Sequence, residues 1–220
     1  MTADVAGTIV IGGAPVTVTT TQPGQEARLS FTGTAGQRIV VYATNVTNPG
    51  AALNLVQPNG TTQTGIGISN VGGQTFFMDT QILATTGIYQ LWVAESGQPS
   101  TGSETLQISS VPADVSGTLT IGGSAFSFTT VAGQNANVTF SNPISQSATV
   151  QWTSSTYSNN FYCYIRVTGP SPSTTQVGVA YCNTPSGTVP LGTQPAGTYN
   201  ILVDPQAQST GGISLTVTTP

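Results

Sequence analysis

The sequence predicts an all-β protein built as two tandem antiparallel β-sandwich domains. Three observations predict it: a domain-length internal repeat, side-chain alternation of period two, and turn residues at short, regular intervals. Asp4-Val5-Ala6-Gly7-Thr8-Ile9-Val10-Ile11-Gly12-Gly13 returns as Asp114-Val115-Ser116-Gly117-Thr118-Leu119-Thr120-Ile121-Gly122-Gly123. Gly87-Ile88-Tyr89-Gln90-Leu91-Trp92-Val93 returns as Gly197-Thr198-Tyr199-Asn200-Ile201-Leu202-Val203. The period is about 110 residues, far longer than a solenoid repeat and the size of a domain. Residues 1–112 and 113–220 are therefore expected to fold as separate units, each long enough to bury its own core.

Apolar and polar residues alternate almost throughout, and no window sustains a helical period. In the first copy the alternation predicts strands near Thr8 to Ile11, Val16 to Thr20, Ala27 to Phe31, Gln37 to Thr44 and Leu53 to Gln57. It continues through Gly65 to Ile68, Phe76 to Met78, Tyr89 to Val93 and Thr105 to Ile108. Gly12-Gly13, Pro23-Gly24, Pro58-Asn59-Gly60 and Gly72-Gly73 punctuate the run with residues whose backbones suit tight turns. Short strands at regular spacing favour a sandwich over a parallel sheet.

Parity then assigns the faces. Leu29 and Phe31, Ile39, Val41 and Ala43, Leu53 and Leu55, and Tyr89, Leu91 and Val93 fall on the core side. Val138 and Phe140, Ala148, Val150 and Trp152, Cys163 and Ile165, and Tyr199, Ile201 and Val203 read as their counterparts. A slip of one residue would expose the whole set, so agreement between copies supports the register.

Charge is scarce: 5% of residues are Asp, Glu, Lys or Arg, against a typical ~25%. There is no Lys and no His, and Arg28, Arg38 and Arg166 are the only cationic side chains. Nucleic acid is excluded as a partner, since phosphate recognition needs clustered cations. Disorder is not expected, because 37% of residues are hydrophobic and they alternate. No apolar run approaches the ~20 residues of a membrane helix, and the first residues lack the pattern of an export signal. The chain opens and closes at equivalent points of the repeat, with Val111-Pro112-Ala113-Asp114 as the internal join. This points to a segment cut from a longer array with Met1 added for expression; the alternative is a short protein whose ends coincide with the repeat.

Phe31-Thr32-Gly33-Thr34-Ala35-Gly36-Gln37-Arg38-Ile39-Val40-Val41, Leu55-Val56-Gln57-Pro58-Asn59-Gly60-Thr61, Thr86-Gly87-Ile88-Tyr89-Gln90-Leu91-Trp92-Val93 and Thr101-Gly102-Ser103-Glu104-Thr105-Leu106 together resemble the bacterial pre-peptidase C-terminal domain. The resemblance covers most of the first copy. The second copy keeps Gly197 to Val203 and Thr210-Gly211, but its Ser141-Asn142-Pro143-Ile144-Ser145-Gln146 departs from the Gly-x-Ala-Gly-Gln turn. The resemblance implies a secreted, jelly-roll-like β-sandwich, an accessory module of exported bacterial enzymes and surface proteins linked to secretion or to polymeric substrates. Some members of the family bind calcium through acidic clusters, and that does not carry over. Asp4, Glu26, Asp79, Glu95, Glu104, Asp114 and Asp204 have no dense acidic spacing.

Catalytic chemistry finds few residues to use. Without His or Lys there is no Ser-His-Asp, Cys-His or Ser-Lys arrangement. Asp79 and Glu95 are the one nearby carboxylate pair of the first copy, and the second copy places Val189 and Pro205 at the matching positions; they read as loop acids rather than a glycosidase pair. The Gly-rich turns lack the lysine and helix of a phosphate cradle. With two Cys and no His, no zinc site is expected. No cofactor is implied and no enzyme is expected.

Cys163 and Cys182 occur only in the second copy. Tyr162 to Val167 and Gln176 to Cys182 read as a hairpin with Gly169-Pro170-Ser171-Pro172-Ser173 at its tip, which sets Cys163 opposite Cys182 and Ile165 opposite Ala180. A disulfide there closes a loop of about 20 residues and contributes about 3 kcal/mol in the chain-entropy picture. Two free thiols in a reducing compartment are the alternative; a disulfide points to an extracellular or cell-surface origin.

On the other face of the hairpin Tyr162, Tyr164 and Arg166 alternate, with Tyr181 across from Tyr164. The first copy is read as having Ala52, Asn54 and Val56 there, so the aromatics are an addition. They are candidate ligand-binding residues, since aromatic faces beside polar groups stack sugar rings. Their ordinary role is cross-strand pairing that stabilises a sheet or covers a domain junction. Trp92, also outward, reads as an interdomain or lateral contact.

Two functions compete. The leading one is a non-enzymatic segment of a larger secreted or cell-surface bacterial protein, a structural or adhesive array whose partners are neighbouring repeats or lateral copies. The other is a carbohydrate-binding accessory module of a secreted hydrolase, with a polysaccharide as partner. A weaker third, an ice- or mineral-binding surface on strands such as Val16-Thr17-Val18-Thr19-Thr20, would need an uninterrupted Thr ladder.

Overall fold

Alternation along each strand decides which side of it is dry. The computed structural model describes residues 3–69, 72–96, 99–157 and 162–219. Met1, Thr2 and Pro220, on which the reading of the chain ends rests, lie outside them. The described residues form strands and no helix, and the chain divides into two compact units, Met1–Val111 and Pro112–Pro220.

The first unit contains β1 (Val5–Thr8), β2 (Val16–Thr20), β3 (Ala27–Gly33), β4 (Arg38–Val46), β5 (Ala51–Val56), β6 (Thr62–Gly67), β7 (Gln74–Ile82), β8 (Gly87–Glu95) and β9 (Gly102–Ser110). A five-stranded sheet in the order β1-β3-β8-β5-β6 faces a four-stranded sheet in the order β2-β9-β4-β7. The second unit repeats this plan with β10 (Val115–Leu119), β11 (Phe126–Thr130), β12 (Ala136–Asn142), β13 (Gln146–Thr153), β14 (Cys163–Thr168), β15 (Gln176–Tyr181), β16 (Gly187–Gln194), β17 (Gly197–Pro205) and β18 (Gly211–Thr218). Its sheets run β10-β12-β17-β14-β15 and β11-β18-β13-β16. Each unit is a β-sandwich, and every residue assigned by parity to the core side is buried.

Three expectations need correction. The first strand is Val5–Thr8, not Thr8 to Ile11. Ile9 is buried, but the chain turns away through Gly12, at φ +74°, and Gly13, whose N–H donates to Val10 O. Alternation had marked a corner that crosses to the other sheet. Second, β1 pairs with β3 in parallel, and β10 with β12 likewise, in otherwise antiparallel sheets. Third, Leu53 pairs with Val93 while Ile165 pairs with Val203, so Ile165 and Val167 are the counterparts of Leu53 and Leu55, and Cys163 that of Ala51. A slip of two residues preserves every face, so parity alone could not detect it.

The central strands are held by matched aromatics. Phe31 stacks on Tyr89 with centroids 5.6 Å apart, and Phe140 on Tyr199 at 5.1 Å. The Tyr89 hydroxyl donates to Thr85 O and the Tyr199 hydroxyl to Pro195 O, both at 2.9 Å. A buried ring thus keeps its polar tip satisfied by a carbonyl four residues earlier, an arrangement like the tyrosine corner of other sandwiches. The turns that feed these strands differ. In the first unit Gly36, at φ +80°, donates its N–H to Leu83 O at 2.8 Å. In the second, buried Asn142 does the corresponding work, donating its amide to Gln194 O at 3.0 Å and accepting from Gln146 at 2.9 Å.

One core position is chemically out of place. Glu104 of β9 pairs across the sheet with Val18, shares the inward parity of Leu106 and Ile108, and is fully buried. Neither carboxylate oxygen has a hydrogen-bond partner, and burial pushes its pKa from 4.5 up to about 7. The strand registers place Ile213 at the same point of the second unit.

Two predictions follow from these cores. Tyr89→Ala and Tyr199→Ala are each expected to destabilise their own unit by about 3 to 5 kcal/mol, and the Phe variants by about 1 kcal/mol for the lost hydrogen bond. Urea unfolding followed by Trp92 for the first unit and Trp152 for the second reads this, and an unchanged midpoint would refute the inward placement. For Glu104 the folded pKa lies above the unfolded one, so the unfolded chain ionises first as pH rises. The contribution of Glu104 to the stability of the first unit is therefore fully present below pH 4.5, is lost between 4.5 and about 7, and is constant above that. The loss is on the order of 3 kcal/mol, and Glu104→Ile or Glu104→Gln should abolish the slope.

Candidate functional site

The hairpin β14–β15 carries outer residues that the first unit lacks. Its register sets Tyr164 opposite Tyr181, Ile165 opposite Ala180 and Arg166 opposite Val179. One step beyond the strand end, the Cys182 N–H donates to Cys163 O at 2.7 Å. This brings the two sulfurs, buried in the core, into a disulfide with Cα atoms 5.0 Å apart. Ser155 adds a hydroxyl bond to Cys182 O. The clip anchors the inner side of an outermost hairpin, where the first unit has Ala51 and buried Ile68.

Because Cys163, Ile165 and Val167 point inward, Tyr162, Tyr164, Arg166 and Thr168 share the outer side. The rings of Tyr162, Tyr164 and Tyr181 gather with centroid separations of 4.9, 5.2 and 6.1 Å. Tyr162 is 58% and Tyr181 52% exposed. The Arg166 guanidinium lies 4.8 Å from the centre of the Tyr164 ring and 3.3 Å from the carboxylate of Asp204, its diagonal neighbour on β17. The Tyr164 hydroxyl is held above the ordinary tyrosine range, first by its bond to Tyr181, then by desolvation and by repulsion from both other tyrosines, against which Arg166 acts. The structure thus brings together all four residues singled out in the sequence.

Further along the same outer side the sheet ends in a groove of about 350 Å³ under the hairpin tip. Thr139, Thr168, Ser171, Ser173, Thr198 and Asn200 contribute to its lining. Asn200 sits between Thr139 and Thr168 in the sheet, which makes the groove continuous with the Arg166 row. Sequence reasoning missed it, because its residues come from three strands and a loop and none is unusual alone.

The matching face of the first unit is built differently. The registers put Ala52 and Gly67 where the second unit has Tyr164 and Tyr181, and Asn54 and Gly65 where it has Arg166 and Val179. The assignment of Ala52, Asn54 and Val56 to Tyr162, Tyr164 and Arg166 is thus displaced by two residues. Trp92, read as an outside contact, has partners in its own sheet. Its indole N–H donates to Glu26 at 2.9 Å, and Arg28, opposite it in β3, lies 4.3 Å over the ring. Arg28 also meets Glu26 at 3.2 Å and Asp4 at 3.7 Å, pairs exposed enough to contribute little stability.

Asp79 and Glu95 do not come together. Asp79 lies exposed on β7 and Glu95 at the end of β8, in different sheets; the counterpart of Asp79 in the strand register is Pro190, not Val189. Among the described residues no three of His, Cys, Asp or Glu are grouped to hold a metal, and no helix is long and apolar enough to cross a membrane. A second feature missed from sequence is the polar end of the first sandwich. There buried Asn48 accepts the Ser100 hydroxyl at 2.7 Å and Glu95 accepts the Ser100 N–H at 2.9 Å. The inward parity of Glu104 with Leu106 and Ile108 was the available signal that acids enter this sandwich.

Against protein-family profiles and curated proteins the chain has no match. Among solved structures, 48% of it is similar to 95% of the pre-peptidase C-terminal domain of Bacillus anthracis collagenase, at 14% identity and a TM-score of 0.36. The same share is similar to 98% of PliG of Aeromonas hydrophila, a periplasmic inhibitor of g-type lysozyme, at 17% identity and a TM-score of 0.31. The PBSX exported protein XepA matches over 92% of this chain and 86% of its own, at 11% identity and a TM-score of 0.34. Likenesses this weak carry no inference about activity or partner.

The disulfide yields a direct expectation. Unreduced folded protein should contain no alkylatable thiol by intact mass, and two after reduction and unfolding. Reduction, or Cys163→Ala with Cys182→Ala, should lower the stability of the second unit by about 3 kcal/mol and leave the Trp92-reported transition of the first unit in place.

Proposed function

We propose that the chain is a non-enzymatic tandem β-sandwich segment of a larger secreted or cell-surface bacterial protein, serving as a structural and adhesive repeat array. The observation that carries this reading is the contrast between the two units. They share strand order, sheet register and aromatic anchor, and they diverge on one outer sheet face, where Ala52 and Gly67 give way to Tyr164 and Tyr181. A scaffold that repeats while one face is rewritten is what an array of spacers with occasional contact sites requires. The Cys163–Cys182 disulfide supports an oxidising location. Neighbouring repeats are the expected partners, and lateral pairing of copies through open sheet edges without guarding lysines is a second mode of contact.

The test is location and redox state in the source cells. Antibodies to the segment should label intact cells or the culture medium, and the thiols should be blocked before lysis. A cytosolic antigen with two free thiols would overturn the proposal. An alternative reading, a carbohydrate-binding accessory module of a secreted hydrolase, is favoured by the tyrosine cluster alone; a catalytic domain in the parent chain would decide for it.

A further inference from the structure

We infer that the outer side of the five-stranded sheet in the second unit is a binding strip for an uncharged polysaccharide chain, laid along β14 from Tyr162 to the groove under the hairpin tip. The inference rests on the adhesive reading and names the partner of that one face.

The sheet itself does not need the aromatics. The first unit builds the same five strands in the same register with Ala52 opposite Gly67, so a Tyr164–Tyr181 pair is not a condition of forming the hairpin. Cross-strand packing accounts for the contacts of the rings with one another, including the diagonal one of Tyr162 with Tyr181. It does not account for the outward surface of Tyr162, which stands before the first residue of β14 and stays 58% exposed. Tyr162 and Tyr181, each more than half exposed beside the half-buried Tyr164, leave aromatic surface open to an apolar contact.

What surrounds the rings selects the ligand. Arg166 is already matched by Asp204 at 3.3 Å, so the strip offers no unopposed charge to a polyanion. Beyond it come Thr168, Asn200 and Ser171, whose hydroxyls and amide both donate and accept, while the hydroxyls of Thr139 and Ser173 are already bonded to Gly117 O and to Thr175. Sugar hydroxyls also do both, and the apolar faces of sugar rings stack on aromatics. An extended proline-rich peptide would use the rings equally well, but it brings carbonyl acceptors and few donors to a groove rich in each. From Tyr162 to Thr168 the strip spans six residue-to-residue steps of extended chain, about 20 Å, which suits a polymer rather than a single sugar.

The test uses the full chain in pull-down assays on insoluble cellulose, chitin and xylan, with a polyuronate and gelatin as the acidic and proline-rich arms. Retention on a neutral polysaccharide, insensitive to added salt, is expected. Tyr162→Ala, at an exposed position that the fold tolerates, and Tyr181→Ala should each weaken it about tenfold. Asn54→Ala, on the matching face of the first unit, should leave it unchanged. Retention on the polyuronate that salt abolishes, retention on gelatin alone, or retention equal in the tyrosine variants would each overturn the inference. So would no retention on any neutral polymer. In that last case surface labelling with blocked thiols would still leave the scaffold reading intact, which separates the two failures.

Discussion

In each sandwich a phenylalanine of the third strand lies on a tyrosine of the eighth, and the tyrosine hydroxyl is tied to a carbonyl four residues back along its own chain. This contact sits between the two central strands of the larger sheet, so it sets the register from which the outer strands are laid down. The hydroxyl bond matters as much as the ring. An unsatisfied phenol in a dry core would cost more than the ring contributes at its tip, and the bond confines the turn before the strand to one conformation. The separate turn after the third strand varies, as Gly36 and Asn142 show.

A core fixed in this way leaves the outer face free. Side chains alternate, so what happens at Tyr164 or Arg166 has little effect on Ile165 and Val167 beneath them. The two units exploit that independence differently. The first unit places an Arg28–Trp92 stack with acidic partners on its outer sheet, and the second gathers tyrosines at the sheet margin behind a disulfide. The clip and the aromatics belong together physically. An outermost hairpin carrying exposed rings gains rigidity from a covalent tie on its inner side.

Glu104 marks the limit of this tolerance. The same inward position holds Ile213 in the second unit, and the sandwich forms with either. The acid is kept neutral by its surroundings over part of the pH range, so the two units share an architecture without sharing a stability profile. Duplication copied the strand order and left the chemistry of individual core positions open.

The sequence by itself determined the class of fold, the repeat, and the side of the sheet on which nearly every core residue falls, because alternation is a local property of extended chain. The hairpin of Tyr162 to Cys182 was legible too, since a pairing symmetric about its Pro-rich tip sets Cys163 against Cys182. Only the tertiary structure decided what alternation cannot see. A shift of two residues leaves every face unchanged, so the match of Ile165 to Leu53 had to come from the neighbouring strand. Val5–Thr8 became a strand because β3 lay alongside to pair with it in parallel, while the more regular Ile9-Val10-Ile11 was spent on a corner. The groove of Thr139, Thr168 and Asn200, and the partners of Trp92, are made by residues distant in sequence whose nearness is a consequence of sheet order.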